Sequence, residues 1–329
     1  METFDRYMVT GGAGSIGSEI VIQLLKDGCY VMAVDISEYN LYELEQRVNE
    51  MDLPGTMLPF LCDVRHKFAI ESLVETEAPE YVIHAAALKH VPMLEYAHNR
   101  IEAVRTNVIG TKNVADVSQM ADSIRGMTLI STDKAVNPSS FMGITKRIAE
   151  IYLEILKSEP MSKKFNAVRF GNVLESSGSV IPFWRRCIAE GRDLPLTHPD
   201  VERYFMSIPE ACKLVISATS LGSGTYHLDM GKPVKLRDLA KIMIAQSRNT
   251  EIDIQIVGLR PGEKLYEELV GPHETSIDTR IQGVKKVYQS VELPVARRFV
   301  PSLVHAAENR LTQQLDGCIK VLVPEYHDD

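Results

Sequence analysis

Cysteine is scarce and scattered in this chain. The five in 329 residues (Cys29, Cys62, Cys187, Cys212 and Cys318) are odd in number and contain no Cys-x-x-Cys pair, which argues against a disulfide framework and a structural zinc site. Reduced thiols of a cytoplasmic protein are the natural reading. No run of ~18 or more apolar residues occurs, so no membrane insertion is expected. The start, Met1-Glu2-Thr3-Phe4-Asp5-Arg6, lacks the basic flank and apolar stretch of a secretory signal. Basic tracts are missing too: the net charge is −8 with no arginine-rich tail, which argues against nucleic acid as a partner. An anionic ligand must then be held by a few local arginines. There is no internal repeat and no low-complexity segment. What is left is a chain of 45% hydrophobic residues, long enough for one large domain and a smaller one.

The most informative run is Val9-Thr10-Gly11-Gly12-Ala13-Gly14-Ser15-Ile16-Gly17. It follows a short apolar strand (Tyr7-Met8-Val9) and opens an apolar-periodic helix that stops at Asp27-Gly28, which is where a dinucleotide pyrophosphate site belongs. Each glycine has its own reason. Gly11 serves the tight turn, Gly14 lets backbone N–H groups approach a phosphate, and Gly17 lets helix and strand pack closely. A second strand, Tyr30 to Val34, ends in Asp35, whose carboxylate suits an adenosine ribose 2′-hydroxyl and repels a 2′-phosphate. Ile36 and Ser37 offer no arginine to hold such a phosphate, so NAD is expected rather than NADP.

Further strands are predicted at Met57 to Cys62, Tyr81 to His84, Met127 to Ser131 and Phe165 to Phe170, each followed by a polar or helical stretch. The expected fold is therefore α/β, a doubly wound parallel sheet of Rossmann type. Residues 1–171 are expected to form the NAD-binding domain, with the sheet completed by residues near 203–229. Residues 172–329, denser in glycine, proline and charge, are expected to form mainly a smaller C-terminal substrate-binding domain. At two strand ends the cofactor reading extends: Asp63 can face an adenine amino group or merely close a polar loop, and Ala85-Ala86-Ala87 are small where a chain passes close to a dinucleotide. His84 reads as a hydrogen-bonded core histidine.

The chemistry is carried by Ser131-Thr132-Asp133-Lys134-Ala135-Val136-Asn137-Pro138 and, a little later, Met142-Gly143-Ile144-Thr145-Lys146. A hydroxyl, a carboxylate and an amine stand consecutively at the end of an apolar strand, the edge along which ligands bind in open α/β sheets. A polar turn alone can produce Thr-Asp-Lys, and Lys146 can simply pair with Glu150 one helical turn on, worth only ~0.2–0.5 kcal/mol. Spacing to the glycine-rich site weighs against both.

With these runs, and with Asn107-Val108-Ile109-Gly110-Thr111, Arg169-Phe170-Gly171-Asn172-Val173, Arg203-Tyr204-Phe205-Met206 and Arg260-Pro261-Gly262-Glu263-Lys264, the chain resembles the extended short-chain dehydrogenase/reductases. Within them it is similar to the nucleotide-sugar 4,6-dehydratases of the polysaccharide-biosynthesis type, which act on UDP- or GDP-N-acetylglucosamine. The resemblance implies NAD as cofactor, a nucleotide sugar as substrate, no metal, and a homo-oligomer. Ser15, Ile16, Ser37, Val64, Ala85 and Ala86 join the glycines, Asp35 and Asp63 as cofactor contacts. By the family reaction, Lys146 holds the nicotinamide ribose and Thr132 bonds the reacting 4-hydroxyl. Asp133 is the expected general acid at the 6-hydroxyl. Lys134 is the expected base at the 5-position, provided that burial, Lys146 and the oxidised nicotinamide lower its pKa from about 10.4 toward ~7–8. Arg203 and Arg260 are expected at the substrate diphosphate, with Asn172 beside them and Lys89 toward the sugar.

Two departures from the family pattern matter. Many members carry an N-terminal membrane region, whereas this chain begins at the nucleotide-binding strand and reads as a free-standing version. The superfamily's Tyr-x-x-x-Lys is Met142-Gly143-Ile144-Thr145-Lys146 here, so the tyrosine base is missing. Asp133 through Thr132, Lys134, or a water are the groups left to take the 4-hydroxyl proton. The rival readings are a 4-epimerase and a non-catalytic NAD-binding protein.

Overall fold

Alternation of apolar strands with amphipathic stretches produces six strands in the first half: β1 (Arg6–Thr10), β2 (Tyr30–Asp35), β3 (Thr56–Leu61), β4 (Tyr81–His84), β5 (Gly126–Ile130) and β6 (Lys164–Arg169). In the computed structural model, which describes residues 4–247 and 251–326, they lie parallel in the order β3-β2-β1-β4-β5-β6. The strand Gly224–Leu228 extends the sheet in parallel beside β6, with Tyr226 opposite Val168. Val284–Tyr288 and Thr275–Asp278 then close that edge antiparallel. This is the doubly wound α/β sheet expected from the sequence. Strand order reverses between β1 and β4, the switch point at which such sheets bind ligands.

Successive residues of each strand face opposite sides, and both sides are apolar because both are covered by helices. Met8, Met32, Val82 and Met127 enter one buried layer. Their neighbours Val9, Val31, Ile83 and Val168 enter the other. Helix α1 (Ser15–Lys26) buries Gly17, Ile20, Val21, Leu24 and Leu25, a stripe at helical spacing, and gives way to Gly28 at φ +83°. The central helix Phe141–Lys157 starts on the Ser140 hydroxyl, which accepts from Gly143 N at 3.1 Å, and is buried along most of its length.

Residues after 171 are divided between the sheet and a separate smaller core. Trp184, Cys187, Leu194, Leu196, Leu236 and Ala240 build that core, from the helices Val180–Ala189 and Leu236–Ser247 and the parallel pair Leu194–Leu196 and Ile254–Ile256. The C-terminal helices Leu293–Glu308 and Thr312–Leu322 instead pack into the layer that holds the central helix. Among the described residues, no helix is long and apolar enough to cross a membrane.

Candidate active site

The glycine run forms a backbone cradle at the switch point. Gly11 has φ +66°, and a Cβ there would lie 2.6 Å from Ala86 N, so a side chain is excluded by both strain and space. A Cβ on Gly17 would lie 2.0 Å from Gly11 O. Gly14 is the N-cap of α1, and no side chain caps that helix end, which leaves its first N–H groups for an anion. A hollow of about 350 Å³ beside it is lined by Gly11, Gly14, Asp35, Asp63, Val64 and Ala86 among others. The Asp35 carboxylate accepts from Ala13 N at 3.1 Å and Ser37 N at 3.0 Å, so it is fixed at the end of β2 by the glycine loop itself.

Other expected cofactor contacts have work of their own. Ser37 caps the helix Glu38–Asn49. Ser15 Oγ donates to Ser177 Oγ at 3.2 Å and accepts from Ser177 N at 3.1 Å, which ties the 176–179 turn across the glycine loop. Asp63 accepts from Arg65 N and Arg65 Nε at 2.9 and 2.7 Å; burial works against its charge, but Arg65 holds the carboxyl below the usual range. Arg65 is a guanidinium in this hollow that the sequence reading overlooked, and Asp63 and Glu102 already neutralise it. His84 is fully buried between Thr10 and Thr111, and burial, then Lys146, pulls its pKa down to about 3. It is a core histidine.

The hollow continues past Ala85, Ala87 and Leu88 into a cleft of about 650 Å³. Ile16, Lys89, Thr132, Lys134, Met142 and Lys146 line one side, and Asn172, Arg203, Arg260 and Glu263 also face it. The sequence-predicted catalytic and substrate residues therefore meet in one place, with one exception. Asp133 is fully buried and does not line the cleft, because the single 3-10 turn Asp133–Ala135 at the end of β5 carries its side chain inward. It stands behind its neighbours: Thr132 Oγ1 donates to Asp133 Oδ1 at 2.8 Å and Lys134 Nζ donates to the same oxygen at 2.9 Å. Direct contact of Asp133 with a 6-hydroxyl, expected from the sequence, is not what this geometry provides.

A second correction concerns Lys134. Burial pulls its ammonium toward neutrality, but Asp133 and Glu267 together overcome that and hold its pKa above the ordinary lysine value. Burial alone therefore does not lower it, because a second carboxylate, remote in sequence, lies 3.3 Å from Nζ. Burial lowers the pKa of Lys89 in the same cleft, and in Lys146 it does prevail and pulls the pKa down to about 8. Among the described residues its Nζ has no hydrogen-bond or ion-pair partner. Glu150, its suggested partner, instead accepts from Ser131 Oγ at 2.6 Å and pairs with Arg169 at 2.7 Å. Met142 sits one helical turn before Lys146, buried, and faces the cleft where the superfamily's tyrosine would stand.

Three side chains that hold the site were given no role from sequence, although Asn107 and Glu263 stand in the motif runs quoted above. Asn107, in the π-helical turn Val104–Ile109, accepts from Leu88 N at 2.7 Å and donates to Leu88 O and Thr145 Oγ1 at 2.9 Å each. It pins the loop after β4 to the central helix. Glu263 pairs with Arg203 at 3.2 Å, and Glu267 lies between Arg203 and Lys134. A buried Asn in an irregular helical turn is the sort of signal that marks function. For the two glutamates the only hint was their place beside Arg260-Pro261-Gly262.

Comparison with known proteins agrees with the geometry. The family described as polysaccharide biosynthesis protein matches residues 7–289. Capsular polysaccharide biosynthesis protein CapD of Staphylococcus aureus is 45% identical over 81% of this chain and 45% of its own length, so the chain spans about half of that relative. A UDP-glucose 4-epimerase of Rickettsia rickettsii is 35% identical over 81% of this chain and 78% of its own. The inverting UDP-N-acetylglucosamine 4,6-dehydratase of Campylobacter jejuni is 30% identical over 87% and 83%. Among solved structures, Pen from Bacillus thuringiensis superposes with a TM-score of 0.78 at 31% identity, covering 89% of this chain and 92% of Pen. DesIV, a dTDP-glucose 4,6-dehydratase from Streptomyces venezuelae solved with NAD, shares the fold at 20% identity, with a TM-score of 0.70 over 81% and 88%.

Proposed function

The chain belongs to the polysaccharide biosynthesis protein family, within the extended short-chain dehydrogenase/reductases, and from that premise we propose that it is a cytoplasmic, NAD-dependent 4,6-dehydratase. Its substrate is UDP- or GDP-N-acetylglucosamine and its product a 4-keto-6-deoxy sugar nucleotide for surface polysaccharide or glycan assembly. The observation that carries the reading is the Thr132-Asp133-Lys134 array, a hydroxyl and an ammonium facing the cleft and sharing one buried carboxylate oxygen. The dinucleotide fits the cradle at Gly11, Gly14 and Gly17 and the free end of α1, and Asp35 favours a ribose that bears no 2′-phosphate. When bound it would supply the hydride chemistry that links the sugar 4- and 6-positions. The substrate is held mainly by the part after residue 171, with Asn172, Arg203 and Arg260 toward its diphosphate and Lys89 toward the sugar.

Protons balance on this array. The 4-hydroxyl proton passes through Thr132 to Asp133, which is why a tyrosine base is dispensable. Lys134, an ammonium at rest, protonates the departing 6-hydroxyl, and the amine it becomes takes the 5-proton. It returns a proton to the 5-position, and Asp133, 2.9 Å away, gives back the one it stored. Lys146 adds positive charge beside the nicotinamide site and holds the ribose.

A 4-epimerase is the second reading, favoured by the Rickettsia relative. It needs only the Thr132–Asp133 relay and leaves Lys134 without a task. Mass spectrometry of the product separates the two: dehydration removes one water with no lasting NADH, epimerisation leaves the mass unchanged.

Met142 has a testable role as filler. Met142→Leu should retain most activity, since a volume-conserving apolar swap costs under ~1.5 kcal/mol. Lys146→Ala should weaken both turnover and cofactor affinity. Rates measured at saturating NAD separate lost binding from lost chemistry. A folded Met142→Leu enzyme as inactive as a Lys134 variant would show that the methionine takes part in the reaction.

A further inference from the structure

Glu267 comes from a segment fastened to the catalytic turn. Lys264 Nζ donates to Val136 O at 3.1 Å, and Ser139 Oγ donates to Gly262 O at 3.1 Å. Gly262 has φ +74°, and a Cβ there would meet Ser140 Cβ at 2.8 Å, so the backbone can approach this closely only as glycine. The docking leaves the Glu267 side chain 3% exposed, with Oε1 3.3 Å from Lys134 Nζ and 3.8 Å from Arg203 Nε. Its other oxygen, Oε2, is buried without a hydrogen-bond partner among the described residues.

Stability alone does not account for that carboxylate. Replacing a buried ion pair by apolar side chains is often neutral or stabilising, and a buried oxygen without a partner is a cost. Its position relative to Lys134 does account for it. An ammonium has three N–H donors; Asp133 Oδ1 accepts one at 2.9 Å and Asn172 Oδ1 another at 3.4 Å, while Glu267 Oε1 faces the same nitrogen as an ion pair at 3.3 Å. Asn172 is the neutral and most distant of them, and it lines the cleft. It is the contact that a substrate oxygen displaces most easily, while the Asp133 hydrogen bond and the Glu267 charge hold the ammonium in place.

We propose that Glu267 is a positioning residue of the reaction: together with Asp133 it fixes the Lys134 ammonium so that one N–H points at the substrate, and through Arg203 it ties that aim to the diphosphate end of the cleft. The proposal rests on the dehydratase reading for its reaction but not for its geometry. The charged groups that bear on the pair are Asp133 on the catalytic turn, Arg203 across the cleft, and Glu263, which shares Arg203.

The test compares the full-length enzyme with Glu267→Gln, which keeps the shape and removes the charge, and Glu267→Asp, which keeps the charge and shortens the reach. Glu267→Gln should lower kcat by about 10–100-fold, the scale of a misaimed group, with NAD affinity unchanged. The Lys134 titration, followed by lysine-selective 13C NMR and assigned by its loss in Lys134→Ala, should move to lower pH, because an anion beside the ammonium has gone. The corresponding limb of the kcat profile should move with it. Glu267→Asp should keep the titration near its original position with an intermediate kcat. An unchanged kcat and titration in Glu267→Gln would overturn the proposal, as would equal losses in both variants with the titration unmoved. If Glu267→Gln does not fold, Glu267→Asp decides, and an unaltered kcat in it would be contrary. The NMR titration needs no substrate, so a wild-type enzyme that removes no water would refute the dehydratase reading and leave the Glu267 result standing on its own.

Discussion

Lys134→Ala and Asp133→Asn will each lower turnover by ~10²–10⁴-fold, the usual contribution of a general acid–base group, while NAD affinity stays near that of the unaltered protein. Lys134 faces the cleft, and in the proposed reaction it carries the proton for the departing hydroxyl, so alanine removes both the acid and the base. Asp133 is buried behind the cleft wall. Its variant fails for a different reason: asparagine cannot store the 4-hydroxyl proton that Thr132 delivers, nor return it to Lys134. Neither side chain lines the hollow that Gly11, Gly14 and Asp35 share, which is why cofactor binding should survive. Calorimetric titration with NAD and single-turnover rates on the two variants check this. Near-normal turnover in both would reduce the Thr-Asp-Lys run to a structural turn.

Arg169→Met should destabilise the fold by ~3–5 kcal/mol, the scale for breaking a buried ion pair by removing one partner. Arg169 is fully buried at the end of β6 and bonds Glu150 at 2.7 Å on one side and Glu274 at 2.7 Å on the other. Burial disfavours its charge, yet the two carboxylates hold the guanidinium pKa above its ordinary value. Glu150 in turn accepts from Ser131, the residue before the catalytic array. Methionine fills much of the space and leaves both carboxylates without that cation. Urea unfolding of the two proteins measures the difference; a loss below about 1 kcal/mol would mean that Arg147 and water replace the guanidinium at little cost.

The parts of this structure that were legible in the sequence are those set by local constraint. The glycine run was readable because Gly11 and Gly17 tolerate nothing larger, as the 2.6 Å and 2.0 Å approaches at these positions show. The sheet was readable because strands covered on both faces are apolar throughout, and each helix between them carries its own stripe. Predicted strand ends missed by a residue, as at Thr56–Leu61 for Met57 to Cys62, where backbone pairing and not side-chain type sets the limit. Asp133 was assigned a place in the cleft because its residue type suits an acid. Its inward direction comes from one 3-10 turn, which the letters Thr-Asp-Lys do not specify. A lowered Lys134 pKa was expected from burial, Lys146 and the oxidised nicotinamide, with no count of Glu267, which reaches Lys134 only after the chain has built the smaller core and returned. Long-range pairing of this kind leaves no periodic trace. Lys146 and Met142 were readable as a pair because helical spacing alone puts them on one face.

The central claim is that one array removes water from a nucleotide sugar by way of a 4-ketone. The most direct measurement is incubation of the enzyme and NAD with UDP- and GDP-N-acetylglucosamine in deuterated water, with the product identified by NMR. The expected product is a 4-keto-6-deoxy sugar from one of them, with deuterium at the 5-position delivered by the exchanged Lys134 ammonium and no net NADH. A product that keeps its 6-hydroxyl, or one without deuterium at the 5-position, would contradict that claim.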